Sequence, residues 1–319
     1  MTPTLKHRIE YGFVKTADFL LFLFPRPATL AFGEALGTLI SWILRPRNKL
    51  IKANLAAAFP EKSNAEIEHI AKGVWRNLGR TAVEFVRLSE TTGDRFDEFF
   101  FIEGKEQFDK LLALGKGSIL IGFHFTNWEV LSICTGRYFG ETFGIARPMK
   151  NPLVEAWVQS KRSVNTTNMI WHRQAAKASL RVLKNGKNLG ILVDQNLYTG
   201  GVFVNFFGRP AATTTLPALL HSRTDAPVVL IYSLREGTKF KIVYEPIPLP
   251  EIADMDQRIF THTQLINNSI EAVVRRTPEN WFWIHNRWKR KPEPATPEPA
   301  SPGSASPGPA APAANEDKA

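Results

Sequence analysis

The hydrophobic positions divide the chain into stretches with different periodicities. The first 44 residues carry two apolar runs, residues 9–24 and 28–44, with a Pro-Arg-Pro sequence between them. Apolar side chains recur at helical spacing over residues 63–88, and short β-rich runs alternate with helical ones beyond residue 99. The pattern therefore predicts apolar N-terminal helices, one amphipathic helix and an alternating α/β region.

The two N-terminal runs are apolar but interrupted by charged residues. Lys15 and Asp18 break the first run and Glu34 the second, and each run is shorter than the roughly 20 apolar residues of a simple membrane span. Four basic residues follow directly: Arg45, Arg47, Lys49 and Lys52. We expect a pair of membrane-associating helices with a basic cytoplasmic edge, or else two helices buried against the rest of the protein.

The alternating region predicts one α/β domain. Ser63 and Glu66 form a capping box before the amphipathic helix, whose apolar face is expected to pack into the core. Strands are predicted at residues 99–103, 118–123, 188–193, 228–234 and 240–244. Helices are predicted at residues 105–114, 129–138, 152–162, 175–184, 214–223 and 256–276. This alternation favours a mostly parallel central sheet flanked by helices.

The chain is predicted to comprise three parts. Residues 1–60 hold the apolar helices and a basic membrane-proximal segment, residues 61–291 form the α/β domain, and residues 292–319 are a tail. The tail has eight Pro and eight Ala among its 28 residues and no aromatic side chain. It cannot build a core, so we expect it to be disordered.

Charge and composition narrow the class of partner. The chain has a net charge of +10, and the acidic tail leaves +13 on the rest, which favours a membrane surface, a phosphorylated substrate or an acidic carrier protein. Nucleic acid is not expected, because the aromatic residues lie in apolar runs rather than among lysines and arginines. The single cysteine, Cys134, excludes a disulfide scaffold, and the histidines show no metal-ligand spacing. We therefore expect neither a metal nor a cofactor.

A histidine follows the strand predicted at residues 118–123. His124 then lies at the carboxyl end of a strand, where ligands bind in open α/β sheets. Glu129 falls in the first turn of the next helix, where the helix dipole favours an ionised carboxylate. The two side chains can meet because His124 lies on the preceding loop, which predicts an imidazole base oriented by Glu129. A structural histidine is the alternative.

Asp194 and Gln195 follow the strand predicted at residues 188–193, on the same edge of the sheet as His124. We predict a substrate-binding role for both, in which Asp194 binds substrate hydroxyls or holds Arg147. The alternative is an Asp-Gln pair that only caps the loop.

A phosphate-binding site is predicted at the start of the helix over residues 152–162. Arg147 and Lys150 precede this helix N-terminus, an arrangement suited to a phosphate or, alternatively, to an ordinary exposed loop. Weaker candidates of the same kind are Lys161, Arg162 and Arg173.

Two aromatic clusters have alternative interpretations. Phe203, Phe206 and Phe207 line an acyl channel or fill the core. The second cluster consists of Trp281, Trp283 and Trp288. It lies beside four basic residues and is expected at a membrane interface, or else in an element packed on the domain.

Four segments, in order, resemble one enzyme family. The sequence GFHFTNWE at residues 122–129 resembles the H-x4-D/E motif of the glycerolipid and lysophospholipid acyltransferase superfamily. R-P-x-x-N-P at 147–152, the D-Q and V-F-V-x-F-F-G blocks within 194–208, and P-E-x-W-x-W-x-H-x-R-W-K at 278–289 are similar to one branch. That branch is the late acyltransferases of lipid A biosynthesis, and the resemblance covers residues 5–291.

The resemblance implies an enzyme at the cytoplasmic face of the inner membrane. Such an enzyme moves a fatty acyl chain from acyl-carrier protein, or coenzyme A, to a hydroxyl of a lipid A precursor, which is an anionic phosphorylated glycolipid. His124 would be the general base with Glu129, and backbone amides near the strand end or Asn127 would stabilise the oxyanion. Asn127 is equally placed to act only as a helix cap. No serine or cysteine nucleophile motif is present, which favours direct transfer.

Two other functions stay open at this point. The same chemistry could act on a lysophospholipid, a glycosylated phosphatidylinositol or an aminolipid. A catalytically inactive protein of this fold would be a membrane lipid-binding scaffold, although the presence of His124, Glu129, Arg147 and Asp194 together disfavours it.

Overall fold

The computed structural model describes residues 2–162, 167–171 and 175–293. Its α-helices are α1 (Leu5–Phe22), α2 (Arg26–Ile43), α3 (Arg45–Ala58), α4 (Asn64–Val86), α5 (Phe96–Phe99), α6 (Lys105–Leu112), α7 (Val130–Phe139), α8 (Pro152–Arg162), α9 (Ala175–Lys184), α10 (Leu216–Thr224) and α11 (Met255–Arg276). Its strands are β1 (Phe100–Glu103), β2 (Ser118–Gly122), β3 (Thr142–Ala146), β4 (Thr167–Trp171), β5 (Asn188–Leu192), β6 (Val202–Phe206), β7 (Arg209–Thr213), β8 (Val228–Glu236) and β9 (Lys239–Pro246). The predicted α/β class is confirmed.

Within the described residues, seven strands form one sheet in the order β1-β9-β8-β2-β5-β3-β4. All neighbouring pairs are parallel except β8 and β9, so β8, β2, β5, β3 and β4 share one direction. The carboxyl ends of these five strands therefore lie along one edge of the sheet, where α/β proteins build their sites.

The central strand β2 is buried on both faces. Ile119 and Ile121 belong to the main hydrophobic core, whereas Leu120 belongs to a second core on the opposite face. The sequence of a parallel strand covered by helices on both sides is a continuous apolar run, which explains why the sequence pattern identified β2 directly.

The sequence pattern did not predict β3, β4 or the antiparallel β6–β7 hairpin. The first two lie at the end of the sheet and are only partly buried, so they lack a strong apolar signal. The hairpin turns at Phe207 and Gly208, both with positive φ (53° and 71°), where Asn-Gly or Asp-Gly is the usual signal. The core position of the Phe207 ring and the bond from its N–H to Glu271 Oε2 (2.6 Å) hold this unusual turn.

The helix α2 packs against α4 through glycines. A Cβ at Gly37 would lie 2.1 Å from the carbonyl oxygen of Trp75, and one at Gly79 would lie 2.0 Å from that of Gly33. The backbones approach this closely only because these positions lack side chains. The next helix, α3, contributes Ile51 to the main core.

The outer faces of α1 and α2 expose large apolar side chains, including Phe13 (74 % exposed) and Trp42 (69 %). Among the described residues, no single helix has the length and apolar composition to cross a membrane. The pair α2 and α3, bent by 97° at their junction, meets that test together.

Polar contacts tie α1 to the domain. The Asn151 amide donates to the carbonyl oxygen of His7 (3.0 Å), and Lys161 Nζ donates to Asp18 (3.1 Å), so both ends of α8 are bonded to α1. Arg87 donates to the carbonyl oxygens of Leu21 and Phe24, which holds the break between α1 and α2.

Substituting Gly79→Ala should force α2 and α4 apart. Overpacking of this kind lowers the free energy of unfolding by about 1–3 kcal/mol. Gly12→Ala in α1 is the matched control, because nothing lies within 4 Å of a Cβ there. Denaturant unfolding in detergent measures both variants, and equal stability would contradict the role of the close contact.

Candidate active site

The pairing of β2 with β5 brings His124 to Asp194. Gly122 pairs with Leu192, and the same register continued by two residues places the side chains together. His124 Nδ1 lies 2.8 Å from Asp194 Oδ1, and the backbone N–H of His124 donates to Asp194 Oδ2 (2.9 Å). The predicted shared edge of these two residues is therefore observed as a direct contact.

Asp194 is buried and fully engaged. Besides the two contacts from His124, its Oδ2 accepts a bond from the Trp281 indole (2.8 Å). Burial by itself raises the pKa of Asp194, but these donors hold it below its ordinary value. The carboxylate is thus ionised, and an ionised carboxylate only accepts, so Nδ1 carries a proton; in the neutral form of the ring the lone pair then lies on Nε2.

The charge of His124 is set by opposing effects. Burial lowers its pKa, but Asp194, with a smaller contribution from Glu129, raises it above the ordinary histidine value. The ion pair between His124 and Asp194 therefore contributes its full stabilisation to the folded protein at pH values below the ordinary histidine pKa. This contribution is lost as the pH rises through the raised pKa of His124.

Glu129 does not orient the His124 ring, contrary to the prediction. Its two carboxylate oxygens accept from Arg162 Nε (2.8 Å) and Nη2 (2.6 Å), and Trp128 Nε1 also donates to it (3.1 Å). Burial lowers the pKa of Arg162, but Glu129 more than offsets this and raises it. The bidentate pair leaves the ring contact to Asp194, and it accounts for Arg162, which the sequence had suggested as a phosphate ligand.

The loop that follows His124 is held in an unusual conformation. Thr126 is fully buried and has φ of 51°, which is rare for a β-branched residue. Its carbonyl oxygen accepts from Thr81 Oγ1 (2.7 Å), and its N–H donates to the carbonyl oxygen of Asn280 (2.8 Å). These bonds stabilise a conformation that costs about 1–3 kcal/mol in isolation.

The Asn127 side chain is bonded within the protein, in the turn that precedes α7. Its Oδ1 accepts from the N–H of Glu129 (3.2 Å), and its Nδ2 donates to the buried Glu84 (3.1 Å). Arg235 in turn pairs with Glu84 through Nε (2.9 Å) and Nη2 (2.7 Å). Neither of the two roles predicted for Asn127 is therefore observed, because the N-cap position of α7 is Glu129 and no side chain caps this helix.

The Nε2 side of His124 faces the exposed side chain of Gln195. Gln195 Nε2 lies 3.3 Å from His124 Nε2, and the Trp128 and Phe282 rings flank the imidazole at centroid distances of 4.9 and 5.6 Å. The lone pair of the candidate base is thus directed at a polar, accessible group. This arrangement suits removal of a proton from a hydroxyl that approaches from the same side.

The tryptophan-rich segment lies in the core and not at a surface, which corrects the expectation of an interfacial cluster. Trp281, Trp283 and Trp288 are buried and pack against one another. Arg287 is also buried, where it donates to the carbonyl oxygens of Ala212 (2.6 Å) and Gln195 (3.3 Å), and burial lowers its pKa to about 10. The segment therefore packs beneath the site.

The predicted acyl channel is not observed at Phe206 and Phe207. Both rings lie in the main core, with Phe206 against Trp281 (5.4 Å) and Phe207 against Trp283 (5.6 Å). Phe203 is half-buried under the guanidinium of Arg290 (5.1 Å). Core packing is thus the role that this structure gives to the first two.

The predicted phosphate ligands lie in different surroundings. Arg147 and Lys150 are exposed after β3, on the same sheet edge as His124. The N–H of Met149 donates to Glu155 Oε2 (2.7 Å), so an anion there would rely on the two basic side chains. Lys161 is bonded to Asp18, and Arg173 lies outside the described residues.

Asp194 was predicted to hold Arg147 or to bind hydroxyls, and its role as the partner of the His124 ring was not foreseen. This role could have been identified from the pairing of β2 with β5, because each of these strands is followed by a polar residue and the two residues lie in register. Across residues 2–162, 167–171 and 175–293, no group of three His, Cys, Asp or Glu side chains is placed to hold a metal ion.

The chain is similar to known proteins along most of its length. A sequence model of the bacterial lipid A biosynthesis acyltransferases matches residues 3–290. The lipid A biosynthesis lauroyltransferase of Escherichia coli K12 is 26 % identical over 282 residues, covering 86 % of this chain and 90 % of the relative. The palmitoleoyltransferase of the same strain is 25 % identical over 272 residues, covering 84 % and 87 %.

A more distant similarity concerns another glycolipid. A phosphatidylinositol mannoside acyltransferase of Mycobacterium tuberculosis is 22 % identical over 191 residues, which covers 59 % of each chain. All three relatives are named as acyltransferases or acyl-specific transferases.

Substituting Asp194→Asn should lower the pKa of His124. The variant removes the main charge that raises this pKa, whereas the burial that lowers it remains. NMR titration, with the His124 signal assigned by its loss in His124→Ala, measures the shift. Asp225→Asn, at an exposed position paired with Lys116, is the control. An unchanged titration in Asp194→Asn would show that this carboxylate does not govern the charge of His124.

Proposed function

The chain belongs to the family of bacterial lipid A biosynthesis acyltransferases, and from this membership we propose that it transfers a fatty acyl chain from a thioester donor to a hydroxyl of a lipid A precursor, with His124 as the general base. The resemblance drawn from four sequence motifs is thereby confirmed, and the chain is an O-acyltransferase by family. The proposed parts are the donor, the catalytic residues and the place of action.

The single observation that carries the proposed mechanism is the state of the His124 ring. Its Nδ1–H is held by the ionised Asp194 at 2.8 Å, so the neutral form of the ring presents its lone pair at Nε2, toward the accessible side. A hydroxyl is a poor nucleophile until a base takes its proton, and an imidazole oriented by a carboxylate serves that purpose.

The proposed reaction proceeds by direct transfer. The acceptor hydroxyl gives its proton to His124 Nε2 while its oxygen bonds to the thioester carbonyl carbon. The intermediate then breaks the carbon–sulfur bond, and the leaving thiolate takes the proton from the imidazolium. Cys134 is buried and its pKa is raised by burial, which supports a pathway without a covalent acyl-enzyme.

Glu129 has a different proposed role from the one the sequence suggested. Paired with Arg162, it adds a smaller favourable charge effect on the His124 imidazolium without touching the ring. We assign it to positioning of the loop and of Arg162, and Asp194 to orientation of the base.

The donor is proposed to be acyl-carrier protein, with coenzyme A as the alternative, because the body of the chain is strongly basic and the carrier is acidic. The acceptor is proposed to be a lipid A precursor. The lipid A relatives match over 84–86 % of the chain, against 59 % for the phosphatidylinositol mannoside relative, which favours lipid A over that glycolipid.

The proposed place of action is the cytoplasmic face of the inner membrane. The exposed apolar side chains of α1 and α2 would enter the lipid, and the basic residues at the start of α3 would contact anionic headgroups. Arg147 and Lys150, on the His124 edge of the sheet, would then meet the phosphorylated headgroup of the acceptor.

A transfer assay on the purified protein tests the reaction. With lauroyl- or myristoyl-acyl-carrier protein and a tetra-acylated lipid A precursor, mass spectrometry should detect one added acyl chain. His124→Ala should lower kcat/KM by about 10²–10⁴-fold, because the base is lost. His69→Ala, at an exposed position on α4, should leave the rate unchanged. Full activity of His124→Ala would refute the mechanism.

Membrane association has its own test in vesicle co-sedimentation. Phe13→Ser and Trp42→Ser each remove an exposed aromatic ring, and losing its burial in lipid, about 1.5–3 kcal/mol, should weaken binding about tenfold or more. Phe101→Ser, on β1 and 38 % exposed, is the control. Point variants are preferable to removing residues 1–44, because α2 packs against α4. Unchanged membrane binding of the variant that combines Phe13→Ser and Trp42→Ser would show that another part of the protein is the anchor.

A further inference from the structure

Most backbone N–H groups in the loop after β2 are engaged and cannot donate to the oxyanion of the proposed reaction. Acyl transfer builds negative charge on the thioester carbonyl oxygen, which needs a hydrogen-bond donor. The backbone N–H groups of this loop donate within the protein at five positions: His124, Phe125, Thr126, Asn127 and Glu129. At these five positions the strand-end amides that the sequence suggested are therefore already used.

Two nearby side chains are also committed. The Asn127 amide donates to Glu84 and is fully buried. Arg162 directs its Nε and Nη2 at both oxygens of Glu129. A side chain that is accessible and carries a donor next to His124 Nε2 is better placed for this role.

Gln195 has these properties. Its side-chain carboxamide is exposed and lies 3.3 Å from His124 Nε2, whereas its backbone carbonyl oxygen accepts a hydrogen bond from the buried Arg287 (3.3 Å). The neutral ring presents a lone pair at Nε2, so the amide nitrogen must face it as a donor. That contact uses one amide hydrogen and leaves the second available, on a side chain that can rotate about an anchored backbone.

We propose that the Gln195 carboxamide caps His124 Nε2 in the resting enzyme and donates a hydrogen bond to the thioester carbonyl oxygen during acyl transfer. The inference rests on the proposed function. The acceptor hydroxyl takes the place of the amide at Nε2, and the displaced amide moves to the carbonyl oxygen of the donor.

The electron flow of the step is balanced. The hydroxyl oxygen bonds to the carbonyl carbon as its proton passes to Nε2, and the carbonyl oxygen accepts the electron pair under the Gln195 N–H. When the carbonyl reforms, the carbon–sulfur bond breaks and the thiolate takes the proton back from His124. Reacting atoms about 3–3.5 Å apart place the carbonyl oxygen within reach of a side chain that starts beside the same nitrogen.

The test compares Gln195→Ala and Gln195→Glu in the transfer assay with the full chain. Both variants remove the N–H donor, so both should lower kcat by about 10²–10³-fold, with KM for donor and acceptor changed less than about threefold. Gln257→Glu, exposed on α11, is the control and should retain wild-type kcat. Unfolding midpoints verify that the variants are folded.

Three results would overturn the proposal. Unchanged kcat in Gln195→Ala would show that no donor was lost. A raised KM with unchanged kcat would make Gln195 a ground-state binding residue. A loss confined to Gln195→Glu would arise from the new charge beside the base.

A titration that needs no substrate decides the resting contact. A donor to Nε2 favours the neutral ring, so the pKa of His124 should rise in Gln195→Ala and rise further in Gln195→Glu. An unchanged pKa in both variants would refute the cap. Absence of product from the wild-type protein would instead count against the proposed function, so the two failures are distinguishable.

Discussion

The buried carboxylate of Asp194 is the constraint on which the site and the C-terminal segment depend. At 3 % exposure an ionised carboxylate is stable only with several donors, and it has the ring and backbone N–H groups of His124 and the indole of Trp281. These donors come from the end of β2 and from the segment after α11. Burial of one charge thus requires distant parts of the chain to converge, and it makes the tryptophan-rich segment a structural part of the site.

The two carboxylates near His124 have separate partners. Asp194 contacts the ring, and Glu129 forms a bidentate pair with Arg162. In a second buried network Arg235 pairs with Glu84, and Glu84 accepts a hydrogen bond from the Asn127 side chain. This network holds the loop between His124 and Glu129. A loop fixed on both sides keeps the ring in place, which preorganises a base more firmly than a single contact would.

The N-terminal helices are connected to the site through α8. Asn151 and Lys161 bond the two ends of α8 to α1, and Arg162, one residue after Lys161, reaches Glu129. The apolar face of α1 and the ion pair beside His124 are therefore joined by a short chain of direct contacts. This geometry joins the exposed apolar side chains of α1 and the sheet edge that holds the candidate base into one connected structure.

The sequence by itself determined the α/β class, the bounds of α8 and α9, the capping box at Ser63 and the family, because periodicity, caps and motif order are local properties. It also placed His124 and Asp194 on one edge. Which carboxylate meets the ring was decided only by tertiary structure, since the register of β2 against β5 is a non-local pairing that residue spacing does not encode. Likewise, only the packed fold shows that tryptophans beside basic residues are core, because burial depends on what the rest of the chain brings against them.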